Sequence, residues 1–414
     1  MGWRNQKEAA IANQQRSNIF CSRGSLESLG AYLCAGEEPA QFIISGGSRP
    51  DERYEPLYAY LDAFIGRFPM IILHNNDIHM EAMAAQAWEN AGLGEDSPLW
   101  IVNQRNACFE PFYGMSGQQV TAAVRQLARK LDYTVTPRLE RVTRAHIAIL
   151  RELCIPVSLS GFYYLCNFSD MGEFYGNILA LPCGEAAGKR IWADLGADSE
   201  DANNQFDLFR AVIFHLAREA AQSGWNNANS IAELNCLEAV RRNGTLLLAV
   251  NDLSAELLAA YLAEEWKGID RTPFILLVDG LRIQDGQMLE YLHHTNTGCY
   301  CGIIAENIVD AMQGNEDEFL RLAERMNCFI FFKHGTGKTA ASLAEVIGRY
   351  EHTKVETSQG TSRSFFQFLP RDRHEDVRYS TENRYRVMPE EITGLQAGQA
   401  IVFDAAIDRI IYFN

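Results

Sequence analysis

The chain has 414 residues, of which 47% are hydrophobic and 22% charged, so it can bury a large core and has room for two or three domains. Its formal charge of −16 disfavours unaided binding to nucleic acid or to an anionic membrane surface, because both are polyanions. Since no run reaches the roughly 18 apolar residues of a membrane span and the N-terminus has no apolar signal core, we expect a cytoplasmic protein without a membrane span.

Seven short apolar runs, most of them ending in Gly, Asn or Asp, are typical of buried strands. Runs that are apolar on both faces predict a parallel sheet covered by helices on both sides. Crossover helices are predicted at 55–66, 254–266 and 286–295. The predicted strands cover 41–47, 69–77, 99–104, 244–252, 273–280, 299–306 and 328–335.

Between the third and fourth predicted strands the pattern changes to long amphipathic helices, which indicates an all-α domain inserted into the α/β core. Strand-like patterning returns after the last predicted helix. The predicted organisation is an N-terminal segment (1–40), the first part of the core (41–114), the inserted α-helical domain (115–240), the second part of the core (241–352) and a β-rich C-terminal segment of the core (353–414).

The order of these motifs resembles the FtsK/HerA superfamily, and most closely the coupling ATPases of conjugation and type IV secretion. In that family a strand ends in the phosphate-binding loop, as FIISGGSRPDER does here, and a segment like WIVNQRNACFEPFYG leads into a helical insertion. A Walker B strand and a sensor strand follow, at PFILLVDG and CYCGIIAE. The resemblance spans residues 40–404 and implies a RecA-like P-loop fold.

The nucleotide motifs depart from the family pattern at the first loop. A phosphate-binding loop needs glycines, a lysine and a Ser or Thr that holds magnesium. Gly46 and Gly47 follow the strand, but Asp51, Glu52 and Arg53 stand where the last glycine, the lysine and the hydroxyl are expected. Carboxylates in these places repel a triphosphate.

The Walker B and sensor motifs are altered as well. Asp279 ends its strand as a magnesium-binding aspartate does, but Gly280 replaces the catalytic glutamate, so no side chain there can activate water. Glu306 stands where the resemblance implies a glutamine that orients that water. We therefore interpret 46–53, 279–280 and 306 as a degenerate nucleotide site.

A second candidate phosphate-binding loop is the string GTGKT, which follows a strand and opens a helix. Lys338 and Thr339 are the expected residue types, and Gly335 and Gly337 give the backbone freedom. Against this interpretation, Phe332 occupies the position of the first glycine, and fewer than about 80 residues remain for a nucleotide-binding sheet of the usual size. A structural helix N-terminus and a phosphate contact both stay open here.

Two runs of arginine are candidates for a local basic patch. One is Arg138, Arg141 and Arg144 on a predicted helix, and the other lies at 371–378. Because both are interleaved with acidic residues, solvated surface is the alternative interpretation. No cysteine or histidine spacing predicts a metal site.

The leading hypothesis is a pseudo-ATPase that acts as a scaffold or adaptor in a DNA-processing, transfer or defence assembly. The first alternative is an active ATPase or DNA translocase that uses residues 335–339 with ATP and magnesium, cofactors that the leading hypothesis does not require. The second is a module that recruits substrate proteins through 115–240. The resemblance implies a ring-type homo- or hetero-oligomer with a protein partner, and contact with DNA only within the assembly.

Overall fold

The computed structural model describes most of the chain. The described residues are 21–24, 29–47, 49–75, 77–102, 108–168, 171–182, 184–195, 200–225, 234–251, 272–280, 298–312, 314–361 and 373–413. No helix among them is long and apolar enough to cross a membrane.

Ten strands of the described residues form one large sheet, in the order β1-β12-β11-β8-β2-β7-β6-β3-β5-β4. All neighbouring pairs from β8 to β4 are parallel. The strands of this sheet are β1 (Cys21–Gly24), β2 (Phe42–Ser45), β3 (Met70–His74), β4 (Leu99–Val102), β5 (Thr245–Ala249), β6 (Phe274–Asp279), β7 (Cys299–Ala305), β8 (Cys328–Phe331), β11 (Ala400–Asp404) and β12 (Arg409–Phe413).

Both faces of the central strands are buried. In β2, Ile43 faces one apolar cluster while Phe42 and Ile44 face another, as the two-residue period of a strand requires. In β3, Ile71 and Ile72 divide between the clusters in the same way. The sheet is therefore a central layer with packed helices above and below it.

Two helices on one face follow the first two core strands. Helix α1 (Pro50–Phe64) begins with proline at its first position, where the missing N–H costs nothing. Helix α2 (Ile78–Asn90) begins at Asp77, whose carboxylate accepts a hydrogen bond from the His79 N–H and so caps the helix. These caps fix where both chain segments leave the carboxyl edge of the sheet.

In the described part of the chain, seven helices lie between β4 and β5 in the sequence. Their packing buries the His146 ring among the Phe174, Phe206 and Phe209 rings, and their apolar faces join the cluster on one side of the sheet. They are α3 (Gly117–Lys130), α4 (Pro137–Glu152), α5 (Leu159–Leu165), α6 (Met171–Leu179), α7 (Gly184–Leu195), α8 (Glu200–Gln222) and α9 (Cys236–Arg241).

The last third of the described chain completes one edge of the sheet. Strand β11 pairs antiparallel with β8 and with β12, and β1 adds in parallel to β12. A separate antiparallel ribbon consists of β9 (Arg349–Thr361) and β10 (Arg373–Tyr385). The helices of this part are α10 (Ile308–Ala311), α11 (Glu316–Ala323), α12 (Gly337–Ile347) and α13 (Pro389–Thr393).

The predicted fold class is confirmed. Each of the seven predicted strands contains an observed one, shorter by up to four residues, because the trailing Gly, Asn and Asp residues belong to the turns. The predicted crossover at 55–66 overlaps α1. The crossovers predicted at 254–266 and 286–295 lie outside the described residues.

Close packing between β2 and β7 generates the first prediction. A Cβ added to Gly302 would lie 2.4 Å from the Phe42 ring and 2.7 Å from Leu277. We expect Gly302→Ala to lower the free energy of unfolding by about 1–3 kcal/mol, because the core must move to admit the methyl group. Urea denaturation measures this, with the matched Gly94→Ala variant, where no atom lies within 4 Å, as the control. Equal stabilities of the two variants would contradict the packing.

Candidate functional site

A cleft of about 780 Å³ opens at the carboxyl edge of the sheet. Strands β2, β6, β7 and β8 end beside it, and β3 contributes residues that follow its last position. In open parallel sheets this edge is where ligands bind, because loops and helix N-termini converge there. The residues that line the cleft include Gly47, Arg53, Tyr54, Asp77, Asp279, Gly280, Glu306, Asn307, Asp310, Lys333, His334, Gly335 and Thr336.

The turn after β2 is held by the sheet. Gly46 and Gly47 have φ angles of +96° and +97°, which glycine adopts without strain. The Gly46 N–H donates to the carbonyls of Ala305 and Glu306, and the Gly47 N–H donates to the Lys333 carbonyl at 3.0 Å. Both glycine N–H groups are therefore engaged within the protein and not directed at a ligand.

Glu52 fills the space in front of this turn. One oxygen of its carboxylate accepts a hydrogen bond of 2.8 Å from the Gly398 N–H. The other lies 2.9 Å from the place that a Cβ of Gly47 would occupy. The first turn of α1 thus presents a fixed negative charge beside the glycines. Asp51 precedes it and is exposed to solvent.

Arg53 turns back toward the same turn and lines the cleft. Its guanidinium donates a hydrogen bond of 3.0 Å to the Gly46 carbonyl. Its positive charge acts against the upward shift in the pKa of Asp279. Arg53 therefore supplies positive charge at the position where the family pattern has a hydroxyl.

A buried tyrosine connects two carboxylates at the base of the cleft. The Tyr54 hydroxyl is hydrogen-bonded to Asp77, and its oxygen lies 3.0 Å from Oδ2 of Asp279. A phenol has a single proton to donate, so it can donate to only one of the two carboxylates at a time. A proton on the second carboxyl group is needed to complete the pair of hydrogen bonds.

The pKa shifts are consistent with that arrangement. Burial raises the pKa of Asp279 to about 6, with a smaller contribution from the charge of Asp77. Burial also tends to raise the pKa of Asp77. The hydrogen bonds from Tyr54 and from the His79 and Met80 N–H groups outweigh it, so the pKa of Asp77 is lowered. Burial and the two carboxylates hold the pKa of Tyr54 well above its ordinary range. Asp279 is therefore the carboxyl group that carries the proton more readily.

Two further positions of the sequence analysis lie at the rim of the cleft. Gly280 has a φ of +65°, a left-handed conformation that costs most side chains roughly 1–2 kcal/mol. Glu306 follows β7 and is exposed. Neither position places a buried general base beside Asp279.

The loop that carries GTGKT borders the same cleft. Gly335 and Thr336 line it, while Gly337 begins α12. Lys338 does not line the cleft, and its Nζ lies 3.2 Å from Glu316 on α11, at the protein surface. The Thr339 hydroxyl is buried and hydrogen-bonded to Thr336 and Asn307.

Two basic side chains of this loop were not identified from the sequence. Lys333 is exposed and lines the cleft. His334 is buried, its Nε2 has no hydrogen-bond partner among the described residues, and burial lowers its pKa to about 4. The one sequence signal that could have identified them is their position directly after β8, because residues that follow a parallel strand lie at the carboxyl edge of the sheet.

The residues present do not fit a magnesium nucleotide. Glu52 occupies the space beside the glycine turn, and the Tyr54 hydroxyl already engages Oδ2, one of the two Asp279 oxygens that could accept a metal. Among the described residues no group of three or more His, Cys, Asp or Glu side chains could hold a metal ion. The chemistry that the arrangement supports is hydrogen bonding and proton sharing within the protein.

Nearly all of the residues singled out from the sequence lie around this one edge. Gly47, Arg53, Asp279, Gly280, Glu306 and Gly335 line the cleft. Gly46 and Glu52 adjoin residues that line the cleft, whereas Asp51 and Lys338 are exposed. Tyr54 and Asp77 were missed as site residues, although Asp77 ends the apolar motif 69–77.

The shared proton generates the second prediction. A carboxyl group whose pKa rises from 3.8 to about 6 on folding loses its stabilising contribution as the pH rises through that interval. Asp279→Asn removes this loss, so the variant should exceed the wild type in stability at pH 8 by up to about 3 kcal/mol. The difference should vanish near pH 4.

Urea denaturation at pH 4.5, 6 and 8 measures that difference. Asp77→Asn is the matched control, since the pKa of Asp77 is lowered and its contribution is lost as the pH falls. The two variants should therefore differ from the wild type with opposite signs at pH 8. A pH-independent effect of Asp279→Asn would contradict the assigned proton.

Comparison with known proteins shows which solved structures have a similar fold. No protein-family model matches the sequence, and no curated protein matches it significantly. Among solved structures, the unbound monoclinic form of the bacterial conjugative coupling protein TrwB, deltaN70, superposes with a TM-score of 0.58 at 12% identity, over 90% of this chain and 84% of that one.

TrwB in complex with a non-hydrolysable GTP analogue gives a TM-score of 0.55 at 12% identity, over 95% of this chain and 88% of that one. TrwB in complex with ADP and Mg²⁺ gives 0.53 at 12% identity, with the same coverage. The resemblance found in the order of the motifs is thus confirmed for the fold: the chain has the RecA-like α/β fold of a conjugative coupling protein.

Proposed function

We propose that this protein is a pseudo-ATPase that serves as a scaffold or adaptor subunit of a coupling-type assembly. The observation that carries the proposal is the Glu52 carboxylate, held against Gly47 by the Gly398 N–H. TrwB has been solved with ADP and Mg²⁺. By the order of the motifs, Glu52 stands where the family pattern has the lysine that neutralises the β- and γ-phosphates of a nucleotide.

The charge of the cleft supports the same proposal. Its lining has four carboxylates, Asp77, Asp279, Glu306 and Asp310, against the two permanent cations Arg53 and Lys333. A triphosphate carries several negative charges, and its repulsion by carboxylates at contact distance costs several kcal/mol unless cations neutralise them. Lys338, the lysine of GTGKT, pairs with Glu316 outside the cleft.

The Walker B position also lacks the catalytic side chain that ATP hydrolysis requires. An attacking water needs a base or an orienting side chain within hydrogen-bond reach. Gly280 offers none, and its φ of +65° disfavours restoring one. We infer that the α/β body has kept its packing role while the cleft has become an internal polar contact. Binding would then occur through other surfaces, in a ring or mixed oligomer.

The third prediction tests hydrolysis. Purified protein should release phosphate from ATP no faster than the Lys338→Ala variant does. The reason is that Lys338 lies outside the cleft and Gly280 provides no catalytic base. Gly280→Glu should remain inactive and should lose about 1–2 kcal/mol of stability from its backbone conformation. Turnover in the wild type that Lys338→Ala abolishes would contradict the proposal and support an active ATPase.

The fourth prediction concerns the phosphate loop itself. The triple change Asp51→Gly, Glu52→Lys and Arg53→Thr should gain measurable ADP binding, because a lysine replaces the carboxylate beside the glycine turn. The readout is a rise in Tm with ADP concentration, as expected when a ligand binds the folded state.

The matched control is the double change Asp51→Gly and Arg53→Thr, which keeps Glu52 and should show no rise. A folded triple variant whose Tm does not respond to ADP would show that residues 46–53 are not a former phosphate loop.

A further inference from the structure

One face of α4 carries three arginines in a row. Arg141, Arg144 and Arg151 are exposed and are separated by three and seven residues, so they lie on one stripe of the helix. Ala148 stands between the last two. Within the described part of the chain these three guanidinium groups form no ion pair or hydrogen bond. These three positive charges lie in a chain of net charge −16, and the carboxylate of Asp194 lines the same depression as Arg141 and Arg144.

Two depressions flank this stripe. The larger, of about 610 Å³, lies between α3 and α4, and the other, of about 550 Å³, lies between α4 and α7. Arg144 borders both. In the larger one, Ala122, Ile147 and Ala148 form an apolar floor beside the polar Ser116, Gln118 and Thr121, and the exposed Arg144 and Arg151 stand at the rim.

The one acidic residue of the larger depression is already neutralised. Glu140 accepts a hydrogen bond of 3.0 Å from Arg125. The two rim arginines therefore leave an excess of about two positive charges over a small apolar surface. An apolar floor with a charged rim is the pattern of a groove that receives an amphipathic helix.

We propose that the groove between α3 and α4 binds an acidic amphipathic helix of a partner protein. Along a helix axis the rise is about 1.5 Å per residue, so the arginines stand about 4.5 and 10.5 Å apart. Arg141 borders the neighbouring depression, whereas Arg144 and Arg151 line this groove, so acidic residues seven positions apart on a helix that lies in it face both. Small or branched apolar residues on its adjoining face contact Ala122, Ile147 and Ala148.

A helical partner fits these features better than nucleic acid does. An apolar floor offers nothing to a phosphate backbone, whose binding strength comes from the number of phosphates neutralised. Three arginines neutralise only about three, against the overall repulsion from a protein of charge −16. The inference is independent of whether the cleft at the sheet edge binds a nucleotide.

Fluorescence anisotropy with the full chain tests the proposal. The probe is a labelled 16-residue amphipathic peptide with glutamates spaced seven residues apart and leucines on its other face. Arg144→Glu and Arg151→Glu should each weaken binding by about tenfold or more, since each places like charges in contact. Arg218→Glu on α8 is the matched control: Arg218 is exposed and lines neither depression, so we expect less than about a twofold change.

Two further arms separate the groove from general charge attraction. Ala148→Trp fills the floor without changing charge and should also weaken binding by about tenfold, as should replacing the leucines of the peptide by serine. Circular dichroism verifies that each variant is folded. The proposal is overturned by absence of peptide binding to the wild type, by equal losses in Arg144→Glu and Arg218→Glu, or by tighter binding of a 20-bp DNA duplex than of the peptide at 150 mM salt.

Discussion

The parallel arrangement of the central strands is the constraint on which the rest of the structure depends. Because every strand from β8 to β4 runs in the same direction, the residues that follow them meet at one edge. The same arrangement buries both faces of each strand and requires helices on both sides. Glu52, Asp279, Gly280 and Glu306 come together for this geometric reason, although more than 250 residues separate the first from the last.

Much of the fold could be predicted from apolar runs alone, because a strand buried on both faces appears in the sequence as a nearly continuous apolar run. The runs at 41–47 and 273–280 located β2 and β6 to within a few residues. The paired ribbon of β9 and β10 was harder, because its strands are largely polar.

The candidate site was predictable only in part, for a different physical reason. Motif positions located Gly46, Asp279 and Gly280, because backbone conformation and strand ends leave marks in the sequence. The contacts of Tyr54 left no such signal in the sequence. A tyrosine near the start of a helix is typical of an ordinary core residue, and only the structure shows that its hydroxyl contacts two carboxylates. In the sequence the two candidate phosphate loops were alternative interpretations. In the structure both border one cleft, because β2 and β8 are neighbours in the sheet.

Under the proposed function, the interactions around the cleft would hold the fold together without a bound nucleotide. Tyr54 links α1 to both the start of α2 and the end of β6, and Glu52 links α1 to the turn before β11. Each bond satisfies a buried or partly buried polar group that water or a ligand would otherwise satisfy. A site whose ligand contacts have been replaced by internal ones no longer needs the ligand for its stability.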